Sequence, residues 1–578
     1  MKRRLLMASM AMVAALASCS KDVTTTPDDL NATKETAYAK VSLSFGSATR
    51  ADDETFDEGI AKEREVKSVT LVVYDASGNA VGYGTIDTQN PDEQQKQNVS
   101  TIYKDKVVEL QMINTSSDPK TVVAYINTSV NAEVPFNEAM QQVMKRSEIF
   151  NEDGTFVMTN SGYYGGTESK TWTVATDIAG IYGTAEAAAE GMATTIYVER
   201  LAAKVSVDLK KEEGSAKVET IAQGIKILGV DGVTEYQLDF DAKNATWAPT
   251  GIAQTMYVLK NDWKSEGDSS TDYSWAEANG NFRSYWAKGV YYDTQYSNMK
   301  ANLDYVSYNE VIGEEESAEP KGNMGSYSYV TEHTYGSTTM GDPKYSPLGA
   351  ATSAIVIGQY KVVKTSESGD GEEVEDAKFD NDQGEPDFYL LLTNVTDKVY
   401  TIFTEGELME YLLKADKLEL YGDGNDSEKT QITAKNAAEF FKLKWEDKKY
   451  SLEKKSEETK VYTKAEEGED YTEYQNGFTA ASNARHYNLG YAYFFAPIKH
   501  AETAEGEGEY GVVRNHVYNM TITSITSLGA PLDDDHFGKD GDDDKGDEPI
   551  EPDPDETPYI KVELKVLSWH VMSQDVEL

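Results

Sequence analysis

Cys19 is the residue whose chemistry is simplest to assign, because it is the only cysteine among 578 residues. A cationic start at residues 2–4 and an uncharged apolar run at residues 5–17 precede it. That run is shorter than the roughly 20 residues of a membrane-spanning helix and suits the apolar region of a signal peptide. Residues 16–19, Leu-Ala-Ser-Cys, match a lipobox, in which the cysteine is acylated and becomes the new N-terminus. The sequence therefore predicts an exported bacterial lipoprotein, with an ordinary secretory signal as the alternative.

Arg50 is a candidate site for proteolysis. It is the one basic residue of the loop 46–54, whose sequence runs Gly-Ser-Ala-Thr-Arg-Ala and then becomes acidic. An arginine-specific or trypsin-like protease would cut the bond between Arg50 and Ala51. A surface arginine without such a role is the alternative.

Motifs for enzymatic or metal chemistry are not found in the sequence. The six histidines are scattered without zinc spacing, and no GxSxG, Walker or Rossmann pattern occurs. Acidic residues are so numerous that any chosen carboxylate pair is uninformative for glycoside hydrolysis. The loops 380–384 and 423–427 place oxygen ligands at alternate positions but complete no EF-hand, which favours solvated turns, with a structural calcium as the alternative. We predict no enzyme, no cofactor and no metal site.

The amino-acid composition limits the classes of partner that we expect. With 54 basic and 100 acidic residues, the net charge is 54 − 100 = −46, which disfavours nucleic acid and anionic lipid headgroups as ligands. No second apolar run approaches spanning length, so membrane contact is expected only through the lipid of the precursor. The length predicts at least two domains.

The element expected to matter most is a strand at residues 38–45. Val41, Leu43 and Phe45 alternate with polar residues, which is the pattern of a half-buried strand. Many further short β-branched and aromatic runs follow, and they favour β-sandwiches over βαβ units. Helices are predicted at 137–146, 404–414 and 435–443.

The C-terminal end forms an arm. Residues 532–558 are an acidic linker, which like charges keep extended, and residues 559–578 form a last apolar strand region. The apolar residues of that region change phase near Leu567 and Ser568, where a kink or bulge is expected. Its first half predicts a strand of the chain's own second domain. Its second half predicts a strand donated to a neighbour, with apolar residues Leu567, Trp569, Val571, Val576 and Leu578.

A strand ahead of Arg50, a cleavage loop and a terminal strand on an arm together suggest polymerisation by strand addition. Each element alone has an ordinary explanation. Five stretches of the sequence are informative together: the lipobox with Ser20-Lys21, Gly46-Ser47-Ala48-Thr49-Arg50-Ala51, Val198-Glu199-Arg200 with Ala203-Lys204-Val205, Val512-Val513-Arg514-Asn515-His516-Val517-Tyr518, and the ending 562–569 with 576–578. In these stretches the chain resembles the Mfa-type major fimbrillins, the stalk subunits of short fimbriae (type V pili) in Bacteroidota.

The resemblance implies an all-β protein with two Greek-key β-sandwiches of transthyretin-like topology. It also implies cleavage after Arg50, loss of the strand with Val41, Leu43 and Phe45, and assembly by donor-strand exchange into a fimbria that supports adhesion and colonisation. The expected parts are a signal peptide (1–18), a lipidated propeptide (19–50), an N-terminal sandwich (51–195), a C-terminal sandwich (196–531), the linker (532–558) and the terminal strand region (559–578).

The resemblance also implies partners: other copies of the chain, accessory anchor and tip subunits, and an arginine-specific protease. The precursor would be anchored to the outer membrane and the mature form would lie in a surface fimbria. An anchor or a tip subunit is the alternative within the same architecture. A surface glycan-binding lipoprotein is the alternative from another class, and the Tyr-rich region 263–341 has no assigned role.

Overall fold

The computed structural model of the chain describes residues 37–44, 60–87, 94–96, 99–104, 107–112, 119–150, 154–165, 171–209, 225–241, 244–261, 287–312, 322–336, 347–365, 374–423, 429–464, 470–500, 510–525, 527–532, 549–550 and 561–568. Eight residues of the predicted sites lie outside these ranges: Cys19, Phe45, Arg50, Ala51, Trp569, Val571, Val576 and Leu578.

Strands dominate the regular structure, which confirms the predicted all-β class. In chain order the strands are β1 (Ala37–Ser44), β2 (Ser68–Asp75), β3 (Ala80–Asp87), β4 (Gln94–Lys96), β5 (Val99–Lys104), β6 (Val107–Met112), β7 (Pro119–Ile126), β8 (Val143–Lys145), β9 (Met158–Asn160), β10 (Tyr163–Gly165), β11 (Thr171–Thr173), β12 (Thr176–Asp177), β13 (Thr194–Arg200), β14 (Ala203–Leu209), β15 (Lys226–Leu228), β16 (Glu235–Phe240), β17 (Thr246–Thr250), β18 (Ile252–Ala253), β19 (Thr255–Tyr257), β20 (Leu303–Asp304), β21 (Gly322–Asn323), β22 (Tyr327–Val330), β23 (His333–Thr334), β24 (Ser353–Lys364), β25 (Val374–Glu375), β26 (Phe388–Asn394), β27 (Val399–Phe403), β28 (Tyr421–Asp423), β29 (Lys429–Gln431), β30 (Phe441–Glu446), β31 (Lys449–Lys454), β32 (Val461–Thr463), β33 (Thr472–Glu473), β34 (Ala481–Ser482), β35 (Arg485–Tyr487), β36 (Tyr491–Pro497), β37 (Gly511–Val512), β38 (His516–Ser524), β39 (Ala530–Pro531) and β40 (Lys561–Ser568).

Helices are short. The α-helices are α1 (Phe136–Ala139), α2 (Ala185–Glu190), α3 (Tyr296–Met299), α4 (Tyr308–Ile312), α5 (Pro347–Ala350), α6 (Glu405–Ala415) and α7 (Ala437–Phe440). The 3₁₀ helices are Ala61–Arg64, Arg146–Glu148, Lys300–Asn302, Ala377–Phe379 and Asn488–Gly490. No helix in the described ranges has both the length and the apolar character needed to cross a bilayer.

The largest sheet in the N-terminal part of the described chain has ten strands and lies around the first core. Its strand order is β3-β2-β7-β9-β13-β1-β6-β5-β4, with β12 added beside β7. β13 joins two halves of this sheet, because residues 194–197 pair with β1 and residues 198–200 pair with β9. Side chains from both halves, including Val41 of β1 and Val72 of β2, fill the first hydrophobic core.

A second core lies between a four-stranded sheet and an eleven-stranded sheet. The smaller sheet has the order β22-β14-β38-β40, and the larger one contains β16, β17, β24 and β36. Val205 and Met520 from the smaller sheet meet Trp247 and Phe494 from the larger one in this core. The transthyretin-like Greek-key strand order stays a prediction.

A third core is formed by residues 389–484, mostly between β27 and β35. Helix α6 packs Leu408, Met409 and Leu412 into it. Thr404 begins this helix: its hydroxyl accepts a hydrogen bond from the backbone N–H of Glu407, and the Glu407 carboxylate accepts from the Thr404 N–H.

The chain passes from the first core to the second within two residues. Ala202 packs in the first core and Ala203 in the second. The predicted boundary at 196 lies a few residues earlier, inside β13 of the first sheet. All of the predicted domain bounds, including the one at 196, stay predictions.

Candidate functional site: a removable strand and a buried junction

The predicted N-terminal strand is present as β1, and it lies inside the sheet with a paired neighbour along each edge. It runs antiparallel to β6, with Val41 opposite Val108, and parallel to β13, with Val41 opposite Thr194. Backbone groups on both edges therefore have partners in the sheet. The segment upstream of Arg50 thus supplies an interior strand of a sheet that is otherwise built by the residues after Arg50.

The two faces of β1 differ. Ala39 and Val41 are fully buried and Leu43 is 5% exposed, and all three pack in the first core. Lys40 and Ser42, on the other face, are half-buried. Removing β1 would uncover an apolar slot between β13 and β6. Exposing a Val or Leu side chain costs about 1.5–3 kcal/mol, and unpaired ladder groups on both rims would add to this. The assignment of Val41 and Leu43 to a displaced strand stays a prediction.

A buried glutamate holds the chain shortly after the predicted cleavage site. Glu63, on the 3₁₀ helix Ala61–Arg64, is fully buried. Its carboxylate lies 3.2 Å from the ammonium of Lys204 and accepts a hydrogen bond from the hydroxyl of Tyr329. Its backbone carbonyl accepts from Nε of Arg200 at 2.7 Å. The segment after Arg50 is thereby tied to β13, β14 and β22.

A second buried pair joins Arg514 to Glu332. The guanidinium donates Nε–H to one carboxylate oxygen at 3.0 Å and a terminal N–H to the other at 2.9 Å. The same guanidinium donates to the backbone carbonyls of Val258 at 2.9 Å and Tyr257 at 2.6 Å. Since Val258 belongs to the first core, this arginine connects the two cores.

A third pair completes the junction. Glu199 and Lys260 are both buried, with oxygen and nitrogen 3.3 Å apart. Next to it, the side-chain oxygen of Asn515 accepts from the backbone N–H of Arg200 at 3.2 Å. Removing one member of a buried ion pair typically destabilises a protein by about 3–5 kcal/mol, since the other charge is left without compensation. The Glu63–Lys204 pair and the contacts of Arg514 link the two cores, whereas the Glu199–Lys260 pair lies among residues of the first core.

The residues of the junction come partly from motifs noted in the sequence. Residues 198–205 and 512–518 supply Glu199, Arg200, Lys204, Arg514 and Asn515. Their partners Glu63, Lys260 and Glu332 were missed. No local pattern distinguishes these three residues from the other charged residues of the chain, because their burial depends on distant partners.

The C-terminal strand β40 pairs antiparallel with β38 and forms an edge of the four-stranded sheet. Leu567 lies opposite Val517, and Ser568, the last described residue, lies opposite His516. In this structure Leu567 is thus paired within the chain's own sheet. A donor role for Leu567 stays a prediction and would require the last pairs of this ladder to open.

The predicted calcium-like loops are described in part. In the 380–384 loop, the side-chain oxygen of Asn381 accepts from the backbone N–H groups of Gln383 at 2.9 Å and Glu385 at 3.0 Å. This bonding is that of an Asx turn. Of the 423–427 loop, the structure describes Asp423 alone. Among the described residues, no three His, Cys, Asp or Glu side chains converge as a metal site would require.

His333 is the first residue of β23, directly follows Glu332 in the chain, and is buried. Burial lowers the pKa of its imidazole from 6.5 to about 4. Its Nε2 lies 2.9 Å from the carbonyl of Ala350, and Nδ1 has no hydrogen-bond partner among the described residues. A proton on Nδ1 would therefore place an uncompensated charge at the junction.

Replacing His333 with glutamine is expected to flatten the pH dependence of the free energy of unfolding between about pH 6.5 and 4. Over this window the unfolded chain binds a proton that the folded chain excludes, so the natural protein loses stability as the pH falls, by up to on the order of 3 kcal/mol. Glutamine keeps a donor for the Ala350 carbonyl and does not titrate. Urea unfolding at several pH values measures this difference, and parallel curves for the two proteins would contradict it.

Comparison with known protein families gives a match for the C-terminal region. Residues 485–575 match the family described as "Major fimbrial subunit protein type IV, Fimbrillin, C-terminal". The C-terminal region of this chain is of the fimbrillin type. The match covers β35, β36, β38 and β40 and therefore includes the Arg514 side of the junction. It confirms the resemblance to the fimbrillins, and the narrower Mfa type stays a prediction.

Solved structures of fimbrial proteins overlap this chain at low identity. FimA, a fimbrilin of Porphyromonas gingivalis W83, is 13% identical, with 93% of this chain and 98% of that chain covered and a TM-score of 0.35. The tip fimbrial protein Mfa3 from Porphyromonas gingivalis with C-terminal truncation is 9% identical, with 93% and 100% covered and a TM-score of 0.31. The fimbrial anchor protein Mfa2 from Porphyromonas gingivalis is 10% identical, with 63% and 94% covered and a TM-score of 0.23. At these values the overlaps carry no conclusion. No curated protein matches the chain.

Proposed function

We propose that this fimbrillin-type subunit is a stalk subunit of a surface fimbria. It is exported as a lipoprotein through Cys19, cut after Arg50 by an arginine-specific protease, and polymerised with other copies by donor-strand exchange. Anchor and tip subunits complete the fimbria, which supports adhesion and colonisation. The observation that carries the proposal is the position of β1, an interior strand contributed by the segment ahead of Arg50.

An interior strand that precedes a cleavage site can occupy a binding site for another strand until the bond is cut. While β1 is in place, its side chains fill the core, and its edges are paired with β6 over residues 37–42 and with β13 over residues 41–44. Once the bond after Arg50 is cut, β1 is held by non-covalent contacts alone and another strand can replace it. The slot then requires a strand with apolar side chains at alternate positions, as Ala39, Val41 and Leu43 are in β1.

The C-terminal segment has the composition to fill this slot. Burying its apolar side chains would contribute about 1.5–3 kcal/mol each, on the order of 10 kcal/mol in sum. These side chains are Leu567, Trp569, Val571, Val576 and Leu578. Ladder hydrogen bonds add about 0.5–1.5 kcal/mol each. Association costs roughly 4–15 kcal/mol, so the balance favours a long-lived junction between subunits.

β1 and the C-terminal strand β40 lie in different sheets. This separation supports exchange between subunits over insertion of a chain's C-terminal segment into its own slot. β1 lies in the first sheet, whereas β40 is paired in the four-stranded sheet of the second core. The ladder with β38 pairs residues 561–568 in the chain's own sheet, so Leu567 joins the donated strand only if its pair with Val517 opens. In the proposed assembly, the residues after Ser568 supply the strand that enters a neighbouring subunit.

Incubation of the purified precursor with an arginine-specific protease tests the proposal. We expect a new N-terminus at Ala51 and heat-labile, detergent-resistant ladders on gels. Arg50→Gln is expected to give neither product. Arg64→Gln is a matched control, because Arg64 is the next arginine along the chain and lies on the 3₁₀ helix Ala61–Arg64. Ladders that persist in Arg50→Gln and vanish in Arg64→Gln would overturn the assignment.

A further inference from the structure

A loop of residues 178–193, called the 178–193 loop below, lies over the outer face of β1. Its helix α2 contacts both β1 and β6. The ammonium of Lys40, on the outer face of β1, donates to the backbone carbonyl of Ala189 at 3.1 Å. Ala188 is 3% exposed although both of its neighbours in α2 are exposed. The helix therefore covers the strand from the side opposite to the core.

A tyrosine gives the 178–193 loop a packed interior. The ring of Tyr182 lies so close to Gly180 and Gly191 that a Cβ at either glycine would overlap it. Its hydroxyl accepts the backbone N–H of Met192 at 2.8 Å. Tyr182 thus holds the two arms of the loop together, and the absence of a Cβ at Gly180 and Gly191 leaves room for its ring in this position.

The ends of the loop are fixed beside the slot. The backbone N–H of Ile178 donates to the carbonyl of Lys120 at 2.9 Å, and that of Ala179 donates to the hydroxyl of Thr194 at 2.8 Å. Thr194 is the residue of β13 that lies opposite Val41 of β1. The base of the loop is thus attached to the slot's rim, while its middle is held over β1 by short-range contacts.

The surroundings of β1 determine how it can leave. Strands β13 and β6 occupy its two edges, and the first core occupies its inner face. Sliding lengthwise would drag Val41 and Leu43 through positions shaped for other side chains. In the described part of the chain, α2 covers the remaining side. We propose that the 178–193 loop is a gate that must open before β1 leaves its slot and before another strand enters it.

Opening this gate is expected to require little free energy. A helix as short as α2 has little stability of its own. Ile181 and Met192 are 47% and 69% exposed, so opening uncovers little additional apolar surface there. Segments with few buried contacts open locally at free energies far below that of global unfolding. The gate inference rests on the proposed strand exchange, because a strand that never leaves needs no gate.

The rate at which the severed N-terminal fragment leaves the cut precursor tests the gate. After cleavage with an arginine-specific protease, native gel filtration with mass spectrometry follows the fragment over time. Tyr182→Ala, which loosens the loop, is expected to speed release about tenfold or more. Lys40→Met, which removes the bond to Ala189 and leaves both ladders intact, is expected to speed it about 2- to 10-fold. Tyr411→Ala is the matched control, an exposed tyrosine on α6, and is expected to leave the rate unchanged.

The outcomes separate the gate from the exchange. Faster release in Tyr182→Ala and Lys40→Met, with the control unchanged, supports the gate. Equal rates in all four proteins would overturn the gate and leave strand exchange standing. A fragment that never separates from the natural protein would overturn strand exchange, and the gate with it. Circular dichroism would reveal whether Tyr182→Ala fails to fold. In that case Lys40→Met still tests the gate, because it removes only the bond to Ala189 and leaves the packing inside the loop unchanged.

Discussion

A precursor that ends at Ser568 is expected to be cut after Arg50 and yet to form no polymer. The truncation removes Trp569, Val571, Val576 and Leu578, which are most of the apolar side chains assigned to the donated strand. It spares β40, whose pairing with β38 runs from Lys561 to Ser568. The subunit should therefore fold as before, open its slot on cleavage, and have no strand to offer.

Gel ladders of the cleaved proteins measure this loss. Mixing the truncated precursor with the intact one before cleavage provides a sharper test. Truncated subunits can accept a strand but cannot donate one, so they should end growing polymers and shorten the ladder in proportion to their share. Full-length ladders from the truncated protein alone would contradict the donor assignment. A tip subunit needs no donor strand, so incorporation that ignores the truncation would favour a tip over a stalk.

The strand ahead of Arg50 could be predicted from the sequence because its signal is local. Alternation of polar residues with Val41 and Leu43 sets the face that enters the core, and the structure confirms the strand as β1. The helix predicted at 404–414 is confirmed as α6 for the same reason. Its capping box joins residues three positions apart.

The helix predicted at 137–146 is wrong, and tertiary pairing explains the error. The chain is helical for Phe136–Ala139 and then forms strand β8. β8 pairs with β19, where Met144 lies opposite Met256, more than a hundred residues away in sequence. Partners at such a distance override local helix propensity.

The junction and the gate could not be predicted for a related reason. Glu63, Glu332 and Lys260 are three of the chain's 154 charged residues, and nothing in their local sequence marks them as buried. The stretch 178–192 is rich in Gly and Ala, and Gly180 and Gly191 leave room for Tyr182 to pack closely within the loop over β1. Composition alone does not reveal this contact.

Leu43→Ala is expected to destabilise the precursor and leave the polymer unaffected. Leu43 fills the first core while β1 is in place, so its truncation should lower the free energy of unfolding of the precursor by about 2–5 kcal/mol. After cleavage and exchange, Leu43 has left with β1. The junctions between mature subunits then contain no substituted residue.

Leu201→Ala is the matched control, since Leu201 is fully buried in the same core but remains with the subunit. It should weaken both forms: the precursor in urea unfolding and the polymer in heat dissociation of the ladder. Loss of polymer stability in Leu43→Ala as large as in Leu201→Ala would mean that β1 stays in its slot. If both substitutions weaken the precursor but only Leu201→Ala weakens the polymer, β1 is a strand that closes the precursor and is absent from the assembled form.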